Sequence, residues 1–315
     1  SNPLFHSDFP PRDIAPPKSS HKQPVTQHCG HIALAGRPNV GKSSLLNALV
    51  GGHLAIVSPK AQATRLPVTG LRTEGHVQYV FHDLPGLLEP EYLLHQRMRE
   101  AALASIARVD VILHLHPAAE APAPDLALLA GLPRPPRAPV LTVFTKADLV
   151  PAPRRAELTT TGIQVSVEDP ASIDRLLAQV APHLPERPFD FPDDEIGTQP
   201  VRFFVTEFLR EAAFTLLEEE LPYAVTAEVE EFREERDPVY IRASLFVETE
   251  SQKGIVIGRQ GRMLKQIGAH ARGRIEELLG RKVYLDTWVK VLPKWRRSDE
   301  HLTRFGFPAS PSESR

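Results

Sequence analysis

Apolar positions fall into two blocks separated by a proline-rich stretch, and their spacing changes character several times along the chain. His31 to Ala35 is a short apolar run that stops at Gly36, and Lys42 to Val50 then carries Leu45, Leu46 and Leu49 at helical spacing. Strand-like runs return at Val77–His82, Val109–Leu115 and Val140–Thr145, with helical patterns over Leu93–Ile106 and Ser172–Val180. Strands alternating with helices predict a mostly parallel sheet with helices on both faces. Six prolines between residues 118 and 139 predict a short helix around Leu126 and then an irregular loop. After Pro200 the order changes: Phe203–Leu217 reads as a helix, Ala224–Phe232 and Val239–Val247 as strands, Met263–Leu279 as a helix and Lys282–Leu292 as a closing strand. In that last helix Leu264, Ile267, Ala271, Ile275 and Leu278 recur at spacings of three and four, which predicts one buried stripe. The second block is thus an α+β unit.

A length of 315 residues suits two such units. Residues 1–28, rich in Pro, Ser, His and Gln, read as a disordered tail, and 308–315 as another. Residues 182–200 hold five prolines and the acids Asp190, Asp193, Asp194 and Glu195, with few groups able to anchor a core, so they read as a linker. The units are then 29–181 and 201–307. The longest apolar candidate, Ala101–Leu115, is broken by Arg108 and Asp110, which excludes a membrane-spanning helix of the usual kind. A lone cysteine, Cys29, allows neither an internal disulfide nor a Cys-based zinc site and suits a reducing cytoplasm.

The net charge of −2 conceals a reversal. Residues 207–250 carry thirteen acids against four arginines, whereas 251–297 carry twelve Lys and Arg against three acids. Such a basic segment fits a polyanion.

Gly36-Arg37-Pro38-Asn39-Val40-Gly41-Lys42-Ser43 matches G-x-x-x-x-G-K-[ST] between a predicted strand and a predicted helix. Glycines let successive N–H groups and the helix N-terminus face phosphate oxygens, Lys42 meets the β- and γ-phosphates, and Ser43 ligates Mg²⁺. Asp83-Leu84-Pro85-Gly86 follows a strand where a carboxylate holds Mg²⁺ through water and a glycine amide senses the γ-phosphate. Thr145-Lys146-Ala147-Asp148 fits [NT]KxD. A carboxylate there accepts from N1–H and the exocyclic amine of guanine, groups that adenine does not offer, which argues GTP over ATP. Ser166-Val167-Glu168 sits where a loop backs the base. The nucleotide is therefore expected against Gly36 to Ser43, Ser44, Asp83 to Gly86, Leu87, Thr145, Lys146, Asp148, Ser166 and Val167. Leu87, unlike a glutamine, cannot hydrogen-bond water, which predicts slow hydrolysis or a factor that binds GTP and barely turns it over.

Gly258-Arg259-Gln260-Gly261 fits the GXXG loop of a KH module, whose glycines let the backbone approach the sugar-phosphate chain of RNA. Ile257, the four loop residues, Arg262 and Lys265 are the expected RNA contacts, in a unit with the order of a type II KH domain. Trp295 is expected to pack, and His114 and His116 to form a satisfied interior pair.

Together Gly36–Ser43, Lys60-Ala61-Gln62-Ala63-Thr64-Arg65, Asp83–Gly86, Glu220-Leu221-Pro222-Tyr223 and Gly254–Gly261 resemble the Era family of bacterial KH-domain GTPases, over about residues 29–307. The resemblance implies that Thr64 is the switch I threonine, a choice the residues alone leave open among Thr64, Thr69 and Thr73. It makes Ser43, Thr64 and Asp83 the Mg²⁺-linked positions and Lys42, Asn39 and Thr64 the catalytic ones, with K⁺ associated with Asn39. It also implies GTP/GDP exchange, the 3′ end of 16S rRNA and the 30S subunit as partners, a monomer, and a cytoplasmic location with peripheral contact at the inner face of the membrane. Where the family has a second threonine this chain has Ala63, an asparagine is replaced by Thr145, and an alanine by Val167.

Overall fold

The computed structural model describes residues 26–308 apart from 59 and 61. The expected tails therefore lie almost wholly outside the described residues. The first strand begins at His28 rather than His31, because Cys29 is already buried.

In chain order the first unit runs β1 (His28–Ala35), α1 (Lys42–Val50), β2 (Val68–Glu74), β3 (Val77–Asp83), α2 (Leu93–Ile106), β4 (Val111–Pro117), α3 (Leu126–Ala130), β5 (Val140–Thr145), α4 (Ala152–Leu158), β6 (Ile163–Gln164) and α5 (Pro170–Val180). They form one six-stranded sheet in the order β2-β3-β1-β4-β5-β6, parallel except for β2 against β3. Central β1 and β4 are buried on both sides, as a parallel sheet between helix layers requires. Strand β2 has no counterpart in the sequence reading. At the sheet edge it buries only Val68, Gly70 and Leu71, so its pattern is too polar to stand out.

The second unit runs α6 (Val201–Leu216), α7 (Leu221–Ala224), β7 (Thr226–Arg233), β8 (Val239–Val247), α8 (Glu250–Ile257), α9 (Arg262–Leu279), β9 (Val283–Val291) and α10 (Asp299–Arg304). Its sheet is β7-β8-β9, antiparallel then parallel. Ile267, Ala271 and Ile275 of α9 are fully buried, but Leu278 is 37% exposed and is not part of the stripe.

One cluster of buried apolar residues runs from Ile32 and Leu46 through Phe204 and Phe208 of α6 to Ile241 and Ile275, so the two units share a core. The boundary is also polar. Arg65 donates to the carbonyls of Val225 (2.8 Å) and Tyr223 (2.9 Å) and lies between the rings of Phe214 and Trp295. Lys60 donates to the carbonyls of Phe214 and Leu217 at the C-terminal end of α6, where a cation suits the helix dipole. Arg210 of α6 donates to Ala63 O at 2.8 Å. Trp295 is fully buried against Leu94, Met98 and Leu302, its indole N–H bound to Ala224 O.

Residues 182–200 are not a loose linker. Leu184 is 4% exposed, and Phe189 and Phe191 pack on Cys29, Leu71 and Val80. The side chain of Gln78, itself fully buried, accepts from the N–H groups of Asp190 (2.9 Å) and Phe191 (3.1 Å) and donates to Phe191 O (2.8 Å). Gly197 bridges to Gly70 of β2. Prolines hold this strap extended without needing a full ladder of hydrogen bonds, which is why its composition resembles a tether.

Candidate functional site

The loop from β1 to α1 is shaped by backbone conformation. Gly36 has φ +154°, and a Cβ there would lie 2.5 Å from Leu115 O; Gly41 has φ +94° and Asn39 φ +62°. No side chain caps α1, so the amides of its first turn are available to an anion. Lys42 is 6% exposed and donates to Arg37 O at 2.9 Å; burial pushes its ammonium down to about 8, against the opposing pull of Asp83.

Three oxygens converge beside it. Ser43 Oγ donates to Asp83 Oδ2 at 2.6 Å, Thr64 Oγ1 donates to the same oxygen at 3.1 Å, and the two hydroxyls are 2.9 Å apart. Asp83 Oδ1 is buried with no hydrogen-bond partner among the described residues, and burial raises its carboxyl against the pull of Lys42. Two hydroxyls and a carboxylate with a spare lone pair are the donor set of a hard divalent cation, so these residues fit Mg²⁺. Of the three candidate threonines only Thr64 is here; Thr69 lies 3.2 Å from His82 Nδ1 and Thr73 accepts from Gln78.

A cavity of about 360 Å³ extends from this cluster, lined by Pro38, Asn39, Gly41, Lys42, Ser43, Ser44, Thr64, Gly86 and Lys146. Thr145 Oγ1 donates to Val40 O at 2.6 Å, tying β5 to the phosphate loop, and Lys146, with φ +55°, donates to Asn39 O at 3.2 Å. Asp148 is exposed at the end of this stretch; Ser166 is buried and Val167 exposed beyond it. Arg37 is exposed and Pro85 buried. The side chains of Val40, Leu84 and Leu87 are buried in apolar clusters, so any contact these expected positions make with a nucleotide is through the backbone. Leu87 N–H donates to Gly36 O at 3.0 Å, and a Cβ on Gly86 would lie within 2.9 Å of Pro38, so this turn is seated on the phosphate loop.

Ile56, Val57, Ser58 and Gln62 also line the cavity; the first three carry no motif that marks them in the sequence, and Gln62 lies in the Lys60–Arg65 motif but is not among the positions expected at the nucleotide. Gln62 Oε1 lies 2.8 Å from His95 Nε2 on α2. His114 and His116 sit inside β4. His116 Nε2 meets Glu120 O at 2.9 Å, but His114 Nε2 has no hydrogen-bond partner among the described residues, and burial takes that imidazole down to about 4, so the pair is only half satisfied.

In the second unit α8 opens with a capping box between Thr249 and Gln252 and ends at Gly258. Gly258, Gln260 and Gly261 all have positive φ, and a Cβ on Gly258 would come 2.7 Å from Met263 Cβ. Arg259, Gln260, Arg262 and Lys265 are exposed, and among the described residues none of the three cations has an ion-pair partner. Ile257 is half-buried against the core, whereas its neighbour Ile255 is 56% exposed beside the loop.

Residues 31–146 match the family described as 50S ribosome-binding GTPase, and residues 220–296 match the KH domain family. The chain is 38% identical over 292 residues to GTPase Era of Carboxydothermus hydrogenoformans, covering 88% of this chain and 97% of that one. It is 41% identical over 288 residues to GTPase Era of Geotalea uraniireducens, with the same coverage. Among solved structures it resembles Aquifex aeolicus Era Y63A bound to GDP·AlF4⁻ (TM-score 0.84, 35% identity, 90% of this chain and 100% of that one). It likewise resembles Era in complex with MgGDPNP and nucleotides 1506–1542 of 16S ribosomal RNA (TM-score 0.83, 36% identity, 90% and 100%).

Proposed function

The chain belongs to the Era family of GTPases, and on that premise we propose a switch in which GTP hydrolysis governs how a KH domain holds the 3′ end of 16S rRNA during maturation of the 30S subunit. Residues 29–181 act as the GTPase domain, 182–200 as the connecting strap and 201–307 as the type II KH domain. The solved relative with a GTP analogue and a 16S fragment supports the choice of both ligands.

In this reading the amides of Gly36–Ser44 and the Lys42 ammonium bind the triphosphate, and Asp148 reads guanine in front of Ser166 and Val167. Ser43, Thr64 and Asp83 would hold Mg²⁺, which would supply positive charge to the phosphates. Lys42 stabilises charge that moves toward the β,γ-bridging oxygen, Asn39 is the position with which a K⁺ would be associated, and the Gly86 amide senses the γ-phosphate. RNA lies along Ile257–Gly261, with Arg262 and Lys265 on its phosphates.

One observation carries the coupling. Thr64 closes on Ser43 and Asp83, and its neighbours on both sides, Lys60, Ala63 and Arg65, are bonded to the KH unit. A change in switch I therefore reaches the RNA-binding unit directly. No helix among the described residues is long and apolar enough to cross a membrane. In this reading the chain acts as a cytoplasmic monomer with peripheral contact at the inner face of the membrane. The test is GTP hydrolysis in potassium buffer with and without a short RNA matching the 16S 3′ end. RNA should accelerate turnover, and Lys42→Ala should abolish nucleotide binding. Unaltered turnover on an RNA that binds normally would disprove the coupling.

A further inference from the structure

The residue after Gly86, which in many GTPases orients the attacking water, is here a leucine 2% exposed and turned into an apolar cluster. The lining of the cavity offers a substitute. Gln62 lines it together with Lys42, Ser43, Thr64 and Gly86. We propose that Gln62 orients the attacking water for GTP hydrolysis and that His95 is the residue that positions it; the proposal rests on the nucleotide site described above.

The hydrogen-bond directions fix the geometry. His95 is 2% exposed on α2, and its Nδ1 accepts the N–H of Glu91 at 3.4 Å, so the proton resides on Nε2 and is donated to Gln62 Oε1 at 2.8 Å. Burial keeps the imidazole below its usual range and hence neutral. With Oε1 held in this way, one lone pair of that oxygen stays open to a water, and the amide Nε2 makes no hydrogen bond to any described residue. Gln62 also has φ +62°, a left-handed conformation uncommon outside glycine and typical of residues held for function. Two residues on, Thr64 is closed on Ser43 and Asp83, so this placement belongs to the closed form of switch I.

In the step proposed, a water held by the Gln62 carboxamide attacks the γ-phosphorus. The bond from phosphorus to the β,γ-bridging oxygen breaks, and its electron pair stays on GDP. The water proton passes to a γ-phosphate oxygen, because a carboxamide is not basic enough to keep it. Dihydrogen phosphate and GDP account for all atoms and charge. Gln62 contributes orientation, and a misplacement of about 1 Å costs on the order of 100-fold in rate.

The experiment compares the full chain with Gln62→Ala, His95→Leu, His95→Gln and the Gln62→Ala/His95→Leu double variant. It reads single-turnover hydrolysis at saturating GTP, Kd for fluorescent GTP and GDP, and assembly of the GDP–aluminium fluoride complex. His95→Gln places an amide N–H close to where Nε2–H stood. Gln62→Ala should lower the hydrolysis rate by roughly 10- to 100-fold and weaken aluminium fluoride capture, with Kd values changed less than about twofold. His95→Leu should match it, His95→Gln should recover most of the rate, and the double variant should be no slower than the slower single one. Wild-type turnover by Gln62→Ala, losses that multiply in the double variant, or a fall confined to GTP affinity would each overturn the proposal. Failure of the unmodified chain to bind GTP would instead remove the site reading on which it rests, and the proposal with it.

Discussion

Arg65→Ala removes the guanidinium that fills the junction between the two units. The side chain is 3% exposed, makes no ion pair among the described residues, and is held by the carbonyls of Val225 and Tyr223 and by two aromatic faces. Truncation leaves Val225 O dry and unpaired, which costs about 1–3 kcal/mol, while Tyr223 O, only partly buried, recovers some of its loss from water. Losing a desolvated cation–π contact adds about 2 kcal/mol. Relief from burying a charge with no carboxylate opposes both, so the net expectation is about 3 kcal/mol. In a chain of this size, with an unfolding entropy of about 2.1 cal/mol/K per residue, that lowers the melting temperature by roughly 5 °C. Arg65→Lys keeps the charge but not the planar fork and should fall between. Calorimetric melting of the nucleotide-free protein and the rate of limited proteolysis at residues 60–66 are the readouts. A melting point within a degree of wild type, with unchanged cleavage, would refute the view that Arg65 holds switch I to the KH domain.

Lys42 provides a pH test. Its ammonium is depressed to about 8 in the empty site, while the unfolded chain keeps that proton to about 10.4, so the unfolded state binds more protons between those values. Stability of the nucleotide-free protein should accordingly rise with pH across that window, and a bound triphosphate should restore the charge. Titration calorimetry in two buffers of different ionisation enthalpy should show uptake of about half a proton near pH 8 and almost none near pH 6.5; buffer-independent heats at pH 8 would exclude it. At the RNA loop, Gly258→Ala drives a Cβ into Met263 and should weaken RNA binding strongly, whereas Gly261→Ala meets open space and bears only the left-handed backbone cost of about 1–2 kcal/mol. Equal RNA affinities for the two variants, with GTP binding intact in both, would contradict this account.

What the sequence disclosed were features whose physics is local. The phosphate loop needs glycines at fixed offsets between a strand and a helix, so Gly36, Gly41 and Lys42 are visible in eight residues, and Thr145–Asp148 in four. Features that depend on distant partners were hidden. Strand β2 looks polar because an edge strand buries little, and the strap looks like a tether because the backbone of Asp190 and Phe191 is anchored by Gln78, more than a hundred residues earlier in the chain. Gln62 is visible in the sequence only as part of the Lys60–Arg65 motif, and its contact with His95 of α2 is not. Val40, Leu84 and Leu87 lie within nucleotide motifs, yet their side chains serve the core, a role that the motif alone does not show.

The strap also decides how force passes between the halves of the molecule. A flexible tether of this length would let the KH domain explore a cloud of positions, and coupling would be a matter of local concentration. Residues 184–197 instead lie clamped along the sheet, from Leu184 under β1 to Gly197 beside β2, and Pro200 leads straight into α6. A connection packed at both ends in this way is a torsion arm: a tilt of α6 should be felt at the outer strands of the sheet, and lengthening the strap should weaken that link without altering the phosphate loop or the Gly258–Gly261 loop.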